Sequence, residues 1–334
     1  MLKSTSTSKN TRTSKNTSTS KNSSTSKNSR TSKQISCGDI LIKVIRNNTI
    51  ESIHCGHLLI LDNLGNIIYK KGKNDFLIYP RSAIKAIQAS AMVRNGLNLN
   101  DELLALVSSS HIGTELHQNK VKEILNTVGL DETVLQNTPF LGMYNKTGMA
   151  TSLAAPCSGK HAGMITTSKI NNWSIADYKN PNHPVQIACK KELELLSNEK
   201  IINIAVDGCG APLFAITLKG LAIAIHNLMI SKDPVHQRVV NACKTYPIMV
   251  SGKNTLPTLA MELISDLFVK TGAESVLVAG LSTGHTIVCK ISDGSDRGEF
   301  ELLRASLKKI GIVNKIFNNY SNNQETNVII KSGF

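Results

Sequence analysis

The sequence predicts an α+β fold, an antiparallel sheet with helices segregated from it and with edge strands drawn from opposite ends of the chain. Three observations carry this. Runs of β-branched residues broken by turn signals lie near the start of the chain and recur near its end. The middle is filled by segments whose apolar residues repeat at helical spacing. Regular strand–helix–strand alternation is missing, as are GxGxxG and GxxxxGK[ST], which excludes the nucleotide-binding doubly wound folds.

The elements follow in order. Residues 1–36 are a Ser/Thr/Lys/Asn-rich tail built on a repeated TSKN-like unit. With almost nothing apolar to bury, the tail cannot offset the entropy of ordering and is expected to be disordered. It also resembles a basic, acid-poor organelle transit peptide, though it lacks the apolar half of an amphipathic helix. From Ile40, DILIKVIRNNTIESIHCGHLLILDNLGNIIYKKG reads as two or three antiparallel strands with turns at Asn47–Asn48 and Asn63–Asn66. YPRSAIKAIQASAMVRNG reads as a helix, opened by Pro80 and stopped near Gly96. NDELLALVSSSHIG and ELHQNKVKEILNTVGL are helical in period, and residues 160–200 mix helix with the Pro-rich connection YKNPNHPVQ. IINIAVDGCGAP predicts a buried strand running into a tight turn, and residues 213–270 read as largely helical. ESVLVAGL and HTIVCKISDGS predict a hairpin, FELLRASLKKIG a last helix, and residues 313–334 an Asn-rich segment without an assigned element. The folded domain is expected to span residues 37–312.

Composition bounds the function. The chain has 334 residues, 41% hydrophobic but only 4% aromatic, so its core must be mostly aliphatic. No apolar run approaches the roughly 20 residues of a membrane span. Eight Lys or Arg and no acid lie in residues 1–33, so the net charge of +14 falls to +6 once these eight are set aside. That is weak evidence for nucleic-acid binding by the folded part. Seven cysteines, an odd number without a secretory signal, argue against a disulfide framework and for a reduced, cytoplasmic setting.

Several stretches carry chemistry. PRSAIK sets Ser82 and Lys85 three apart at a helix start, on one face, where a desolvated amine can serve a hydroxyl as base. The spacing alone is unspecific, since Ser-x-x-Lys also starts at Ser6, Ser18, Ser24, Ser197 and Ser306. SSSHIG ends an apolar helix with Ser108, Ser109, Ser110 and His111. It reads either as a helix end satisfying its own carbonyls or as a hydroxyl in a cleft. CSGKH and DGCGAP place Cys157 and Cys209 at Gly-containing turns. Two thiols with His161 or a deprotonated Lys160 suit a four-coordinate Zn²⁺ completed by water. A Cys–His pair and plain structural turns are the other readings. Lys290 in CKISDGS reads on its own as a strand-end lysine.

Taken in order, YPRSAIKAIQA, SSSHIG, PCSGKHAGM, YKNPNHPVQ, DGCGAPLFA, MVSGKNTLPT, KTGAESV and KISDGS resemble the rhizobial-type L-asparaginases (asparaginase II family, class 3), from about Ile45 to about Leu307. The resemblance implies a serine β-lactamase- and glutaminase-like fold with a helical subdomain. It implies hydrolysis of the L-asparagine side-chain amide to L-aspartate and ammonia, in a homodimer. It implies two Ser–Lys pairs, Ser82 with Lys85 and Ser110 with Lys290. Zinc would be held by Cys157, Lys160 and Cys209 as an organiser of the pocket, and Arg81, His161 and Asp207 would line the substrate site. The chain departs from the family pattern at Ala86, where proline is usual, at SHIGTE, which moves the acid to Glu115, and near Val278, where a cysteine is expected. A glutaminase, another SxxK acyl-transfer hydrolase, or a non-catalytic zinc-binding protein are the competing readings. No nucleic-acid or membrane partner is expected.

Overall fold

A computed structural model describes residues 37–142, 148–319 and 328–334. The expected tail at 1–36 lies outside the described residues; the compact unit begins at Cys37. The strands are β1 (Asp39–Arg46), β2 (Thr49–Leu61), β3 (Ile67–Lys71), β4 (Leu77–Ile78), β5 (Ile204–Val206), β6 (Pro212–Phe214), β7 (Ile216–Thr217), β8 (Leu267–Gly272), β9 (Val276–Leu281), β10 (Thr286–Ile291) and β11 (Val328–Ser332). The helices are α1 (Lys85–Arg94), α2 (Asp101–Val107), α3 (Glu115–Asn126), α4 (Ser158–Ile170), α5 (Pro184–Ser197), α6 (Leu218–Ile230), α7 (Pro234–Thr245), α8 (Pro247–Val250), α9 (Leu256–Leu263), α10 (Glu299–Lys309) and α11 (Lys315–Asn319).

The fold is α+β. A seven-stranded antiparallel sheet runs β11-β1-β2-β10-β9-β8, with β3 also paired to β2. Helix α6 packs against β2, β9 and β10, and α10 against β1 and β11. The path therefore ends on β11 and β8, both from the C-terminal half, while β3, which pairs with β2 alone, is an N-terminal edge; the expected arrangement of edges from opposite chain ends is kept only in part. Two strands account for this. LFVKTG, within the stretch read as helical, is strand β8. VIIKS, inside the Asn-rich segment, is β11, whose β-branched run pairs with β1 from Ile42↔Ser332 to Arg46↔Val328. The expected buried strand at 204–206 is instead one half of a short hairpin with β6, and Ile204 and Val206 are exposed.

Helices α1, α2 and α4 form the centre of the helical part. Every residue of α1 from Lys85 to Met92 is buried, as are Leu103–Val107 of α2 and Ser158–Ser168 of α4. A helix buried all round must be apolar or small on every face, and α1 meets this with Ala86, Ala89 and Ala91. Glycines decide how close α4 comes to α2. A Cβ on Gly159 would lie 2.2 Å from the Leu106 carbonyl oxygen, and one on Gly163 would lie 2.8 Å from Val107. These two glycines let the start of α4 rest on the end of α2. The flanking helices are started by side-chain caps, Asn100 on α2, Thr114 on α3, His183 before Pro184 on α5 and Asp233 before Pro234 on α7. Among the described residues no helix is long and apolar enough to cross a membrane.

Candidate active site

Three chain ends converge where the buried helices meet: the entry to α1, the exit from α2 and the entry to α4. Arg81–Ile84 form a tight 3₁₀ turn leading into α1, and Arg81 is held at φ 51°. A non-glycine residue in this left-handed region is strained, and the surroundings must hold it there. Its guanidinium does so, donating to Asp207 Oδ1 from Nε at 3.0 Å and Nη2 at 2.9 Å. Asp207 opens the β5–β6 turn, and the same carboxylate oxygen accepts from the Gly208 amide at 2.8 Å.

The segment after α2 is pinned by backbone. Ser110 N–H donates to the Val250 carbonyl at 2.8 Å, His111 N–H to Pro156 at 3.2 Å and Ile112 N–H to Ser251 at 3.0 Å. Ser108 follows the local reading, its hydroxyl returning to the Leu104 carbonyl. His111 is a packed structural histidine, bonded to Ser158 Oγ at 2.9 Å and stacked on His117; burial holds it well below the usual imidazole range. The Ser110 hydroxyl is different. It lies 2.8 Å from Lys270 Nζ and 3.3 Å from Lys85 Nζ. Both amines are almost wholly buried. Burial pulls Lys85 down to about 8, with Lys160 adding to the effect. Burial and then the neighbouring Lys85 hold Lys270 well below the ordinary lysine value.

The expected pairings divide. Lys85 reaches Ser110 rather than Ser82: its amine donates to the carbonyls of Ser109 and Pro156 and contacts Ser110 Oγ. A buried ammonium needs several acceptors, and these two carbonyls meet that need. Ser82 is half-buried on the 3₁₀ turn, and among the described residues its hydroxyl has no hydrogen-bond partner. The amine facing Ser110 from the sheet is Lys270, not Lys290. Lys290 Nζ donates instead to the carbonyls of Glu274 and Ile291, both at 2.5 Å. The reason is strand position. Lys270 lies on edge strand β8, which packs on the 3₁₀ turn closely enough that a Cβ on Gly272 would lie 3.1 Å from the Ser82 nitrogen. Lys290 is two strands away, on β10. The KTG triplet containing Lys270 was visible in the sequence. Its signal is a lysine inside the apolar run LFVK, since an unpaired lysine is almost never fully buried.

Cys157, His161 and Cys209 are brought together, with ligand atoms all within 4.8 Å of one another. Lys160 donates to Cys209 Sγ at 3.4 Å. The Cys157 thiol bonded to Cys209 draws the latter far down toward the thiolate, helped by Lys160 and His161, and Cys157 is correspondingly raised. Burial pulls Lys160 down, but Cys209, Cys157 and Asp207 outweigh it and the net shift is upward. His161, expected to line the substrate pocket, is fully buried beside the two sulfurs. Its Nδ1 meets Tyr178 Oη at 2.7 Å, and its buried Nε2 has no partner among the described residues. Two thiols and an orphaned imidazole nitrogen are a donor set that fits Zn²⁺, and the Nδ1 contact fixes the ring with Nε2 turned to the sulfurs. Lys160 is the adjacent further donor.

These groups define an α+β protein whose buried centre gathers an amine-flanked hydroxyl, a guanidinium–carboxylate pair and a thiol–imidazole cluster. The chain belongs to the L-asparaginase II family, whose sequence model matches residues 42–332. No curated protein sequence matches it. Among solved structures it is similar to Mglu in its native form in 4.3 M NaCl, at 11% identity and a TM-score of 0.44, over 77% of this chain and 61% of that one. It is also similar to a β-lactamase from Mycobacterium bovis, at 12% identity and a TM-score of 0.43, over 77% of this chain and 95% of that one.

Proposed function

We propose that the protein is an L-asparaginase, hydrolysing the side-chain amide of L-asparagine to L-aspartate and ammonia. The observation that carries this is the Ser110 hydroxyl lying between two buried amines, Lys270 and Lys85, in a chain of the L-asparaginase II family. A serine hydroxyl is a weak nucleophile until a base takes its proton, and a lysine whose charged form is disfavoured by burial can be that base. Ser110 is accordingly assigned as the nucleophile. Its oxygen attacks the amide carbon while its proton passes to Lys270 Nζ; the same proton then goes to the departing ammonia. Water cleaves the ester, giving its proton to the amine, and Ser110 is regenerated as aspartate leaves.

The remaining residues bind and position. The substrate's α-carboxylate suits Arg81 and its α-ammonium suits Asp207. These two side chains bond each other in the free site, so a zwitterionic head group replaces one ion pair with two. Lys85 supports the nucleophile from the other side, and Ser82 is the second hydroxyl at the same turn. Lys290 holds the β8–β9 turn through the Glu274 carbonyl and so acts on the position of Lys270 rather than on Ser110. Zinc would be held by Cys157 and Cys209 with His161 or Lys160, and when bound it supplies a fixed positive charge that orders this wall of the pocket. The protein is taken to work as a homodimer in the cytoplasm, the first of which sedimentation equilibrium tests directly.

The test is ammonia release from L-asparagine, L-glutamine and a buffer blank, with hydrolysis of a chromogenic β-lactam measured in parallel. Asparagine turnover at least tenfold above glutamine, with the β-lactam untouched, is expected. Glutamine as the preferred substrate would make the protein a glutaminase. Zinc uptake without any ammonia release would make it a binding protein, and either result overturns the reading.

A further inference from the structure

The active-site chemistry leaves Cys37 and Cys55 unused. Cys37 is exposed and Cys55 half-buried, and after burial the neighbouring Cys37 thiol is what lifts Cys55 above the ordinary thiol value. The fold builds this contact. Cys55 lies on β2 opposite Ile40 of β1, and Asp39 opposes Gly56. Gly38, at φ 77°, then turns the chain back across the end of β2; a Cβ there would lie 2.0 Å from the Gly56 carbonyl oxygen, so only glycine fits. Ser292 clamps the two segments together. Its N–H donates to the Cys55 carbonyl at 2.8 Å and its hydroxyl to the Cys37 carbonyl at 2.8 Å. Both residues are thus held by backbone on one serine at a strand end, which brings the two thiol-bearing segments side by side.

We propose that Cys37 and Cys55 form a reversible intramolecular disulfide under peroxide, a redox staple that fastens the entry of the chain to the sheet. Exposure decides the order of events. The Cys37 thiolate attacks a peroxide oxygen, giving a sulfenic acid and releasing hydroxide. Cys55 is too shielded to meet the oxidant first, but it lies beside the new S–OH. Its sulfur attacks the Cys37 sulfur, the S–O bond breaks, and the oxygen leaves as water with the Cys55 proton. Two thiols are oxidised by two electrons and one hydrogen peroxide is reduced to two waters. A dithiol such as thioredoxin or dithiothreitol reverses the step by exchange. Of the other cysteines, Cys189, Cys243 and Cys289 are buried singly, and Cys157 and Cys209 face each other inside the pocket wall. The exposed thiol that has a resolving thiol beside it is Cys37. The closed loop spans the β1–β2 turn, so the bridge restricts the unfolded chain there.

The test uses the full chain loaded with zinc, treated with a few equivalents of hydrogen peroxide, alkylated and digested with trypsin without reduction. The expected product joins peptide 34–43, which contains Cys37, to peptide 47–70, which contains Cys55, at a mass 2 Da below their sum. Dithiothreitol should release the two peptides, and Cys37→Ser and Cys55→Ser should each abolish the link. Oxidised wild type should also melt several degrees above the oxidised Cys37→Ser variant. Recovery of Cys37 as a sulfinic acid or an intermolecular dimer, with Cys55 still alkylated, overturns the proposal. So does a Cys157–Cys209 link as the sole disulfide.

Discussion

Replacing Lys270 with methionine separates the lysine that the structure places against Ser110 from Lys290, the partner that the family resemblance implies. The amine removed lies 2.8 Å from Ser110 Oγ and is 1% exposed. General-base catalysis is worth about 10²–10⁴ in rate, or ~3–5 kcal/mol of barrier. Lys85, 3.3 Å from the same oxygen, remains as a substitute base. The loss in kcat for Lys270→Met is therefore expected at the lower end, about 100-fold, with KM for asparagine changed by less than about threefold. Folding should survive, because a buried amine gives way to an apolar chain of similar volume, a change of ~1.5 kcal/mol or less. Lys290→Met is the control. It removes contacts to the carbonyls of Glu274 and Ile291 and none to a hydroxyl, so kcat should stay within about fivefold. Steady-state ammonia release and thermal melts on the two variants decide the matter. If Lys270→Met keeps more than a third of wild-type kcat, or Lys290→Met falls as far as Lys270→Met, the assignment of the base is wrong.

Three further outcomes are expected. Burial holds Lys85 at about 8 in the folded chain against an ordinary value of 10.5. The folded state thus releases this proton first, so stability should rise between about pH 8 and 10.5. Asparagine turnover should gain a rising limb near pH 8 that is missing from Lys85→Met; a flat wild-type profile from pH 6 to 9 would contradict this. Glu299 has the opposite sign: burial lifts its carboxyl to about 7 although it accepts from Ser275 Oγ at 2.8 Å. Its contribution is full below about pH 4.5 and should be lost by pH 7, ~3 kcal/mol at most. Melting curves across that window should slope less for Glu299→Gln, and equal slopes would exclude the effect. Finally, wild-type protein should carry one zinc per chain by elemental analysis, and Cys157→Ser and Cys209→Ser should each lose at least 90% of it; full retention in either would remove that cysteine from the ligand set.

What the sequence disclosed follows from how local each signal is. β1, β2 and β3 were legible because β-branched runs alternate with Asn-rich turns, α1 because apolar periodicity runs between Pro80 and Gly96, and α2 and α3 because their apolar residues repeat at helical spacing. β8 escaped because it has six residues and follows a helical stretch with no turn signal strong enough to break it. β11 escaped because it depends on β1 for its pairing, and its own neighbourhood is Asn-rich. The cysteines and serines of the site were visible as motifs, since each stretch carries its own turn. Which amine meets which hydroxyl was not. That depends on β8 being the edge strand against the 3₁₀ turn, a consequence of strand order that no spacing in KTGAESV or KISDGS encodes. His161 was legible from its residue type as a ligand beside two thiols, whereas the family resemblance put it in the substrate pocket; the packing of α4 on α2 brings both Lys160 and His161 near the sulfurs.

The protonation of the site follows from where its negative charge sits. Lys85, Lys160 and Lys270 are each at most 3% exposed, and solvation of three adjacent ammonium groups is forfeited. Arg81 takes Asp207 for itself. The remaining anionic centre is Cys209, and it lies against Lys160. Lys160 accordingly keeps its proton, Lys85 is drawn down, and Lys270, facing Lys85 without a carboxylate within hydrogen-bonding reach, is drawn well below the ordinary lysine value. Burial thus disfavours the charged form of the amine 2.8 Å from Ser110. The thiol cluster spends its negative charge on Lys160, which donates to Cys209. A cation bound there would add positive charge on the same side and displace the Lys160 proton if that amine became a ligand. Both arrangements keep the base at Ser110 ready to accept a proton, so the thiol cluster can shape the reactivity of a hydroxyl it does not touch.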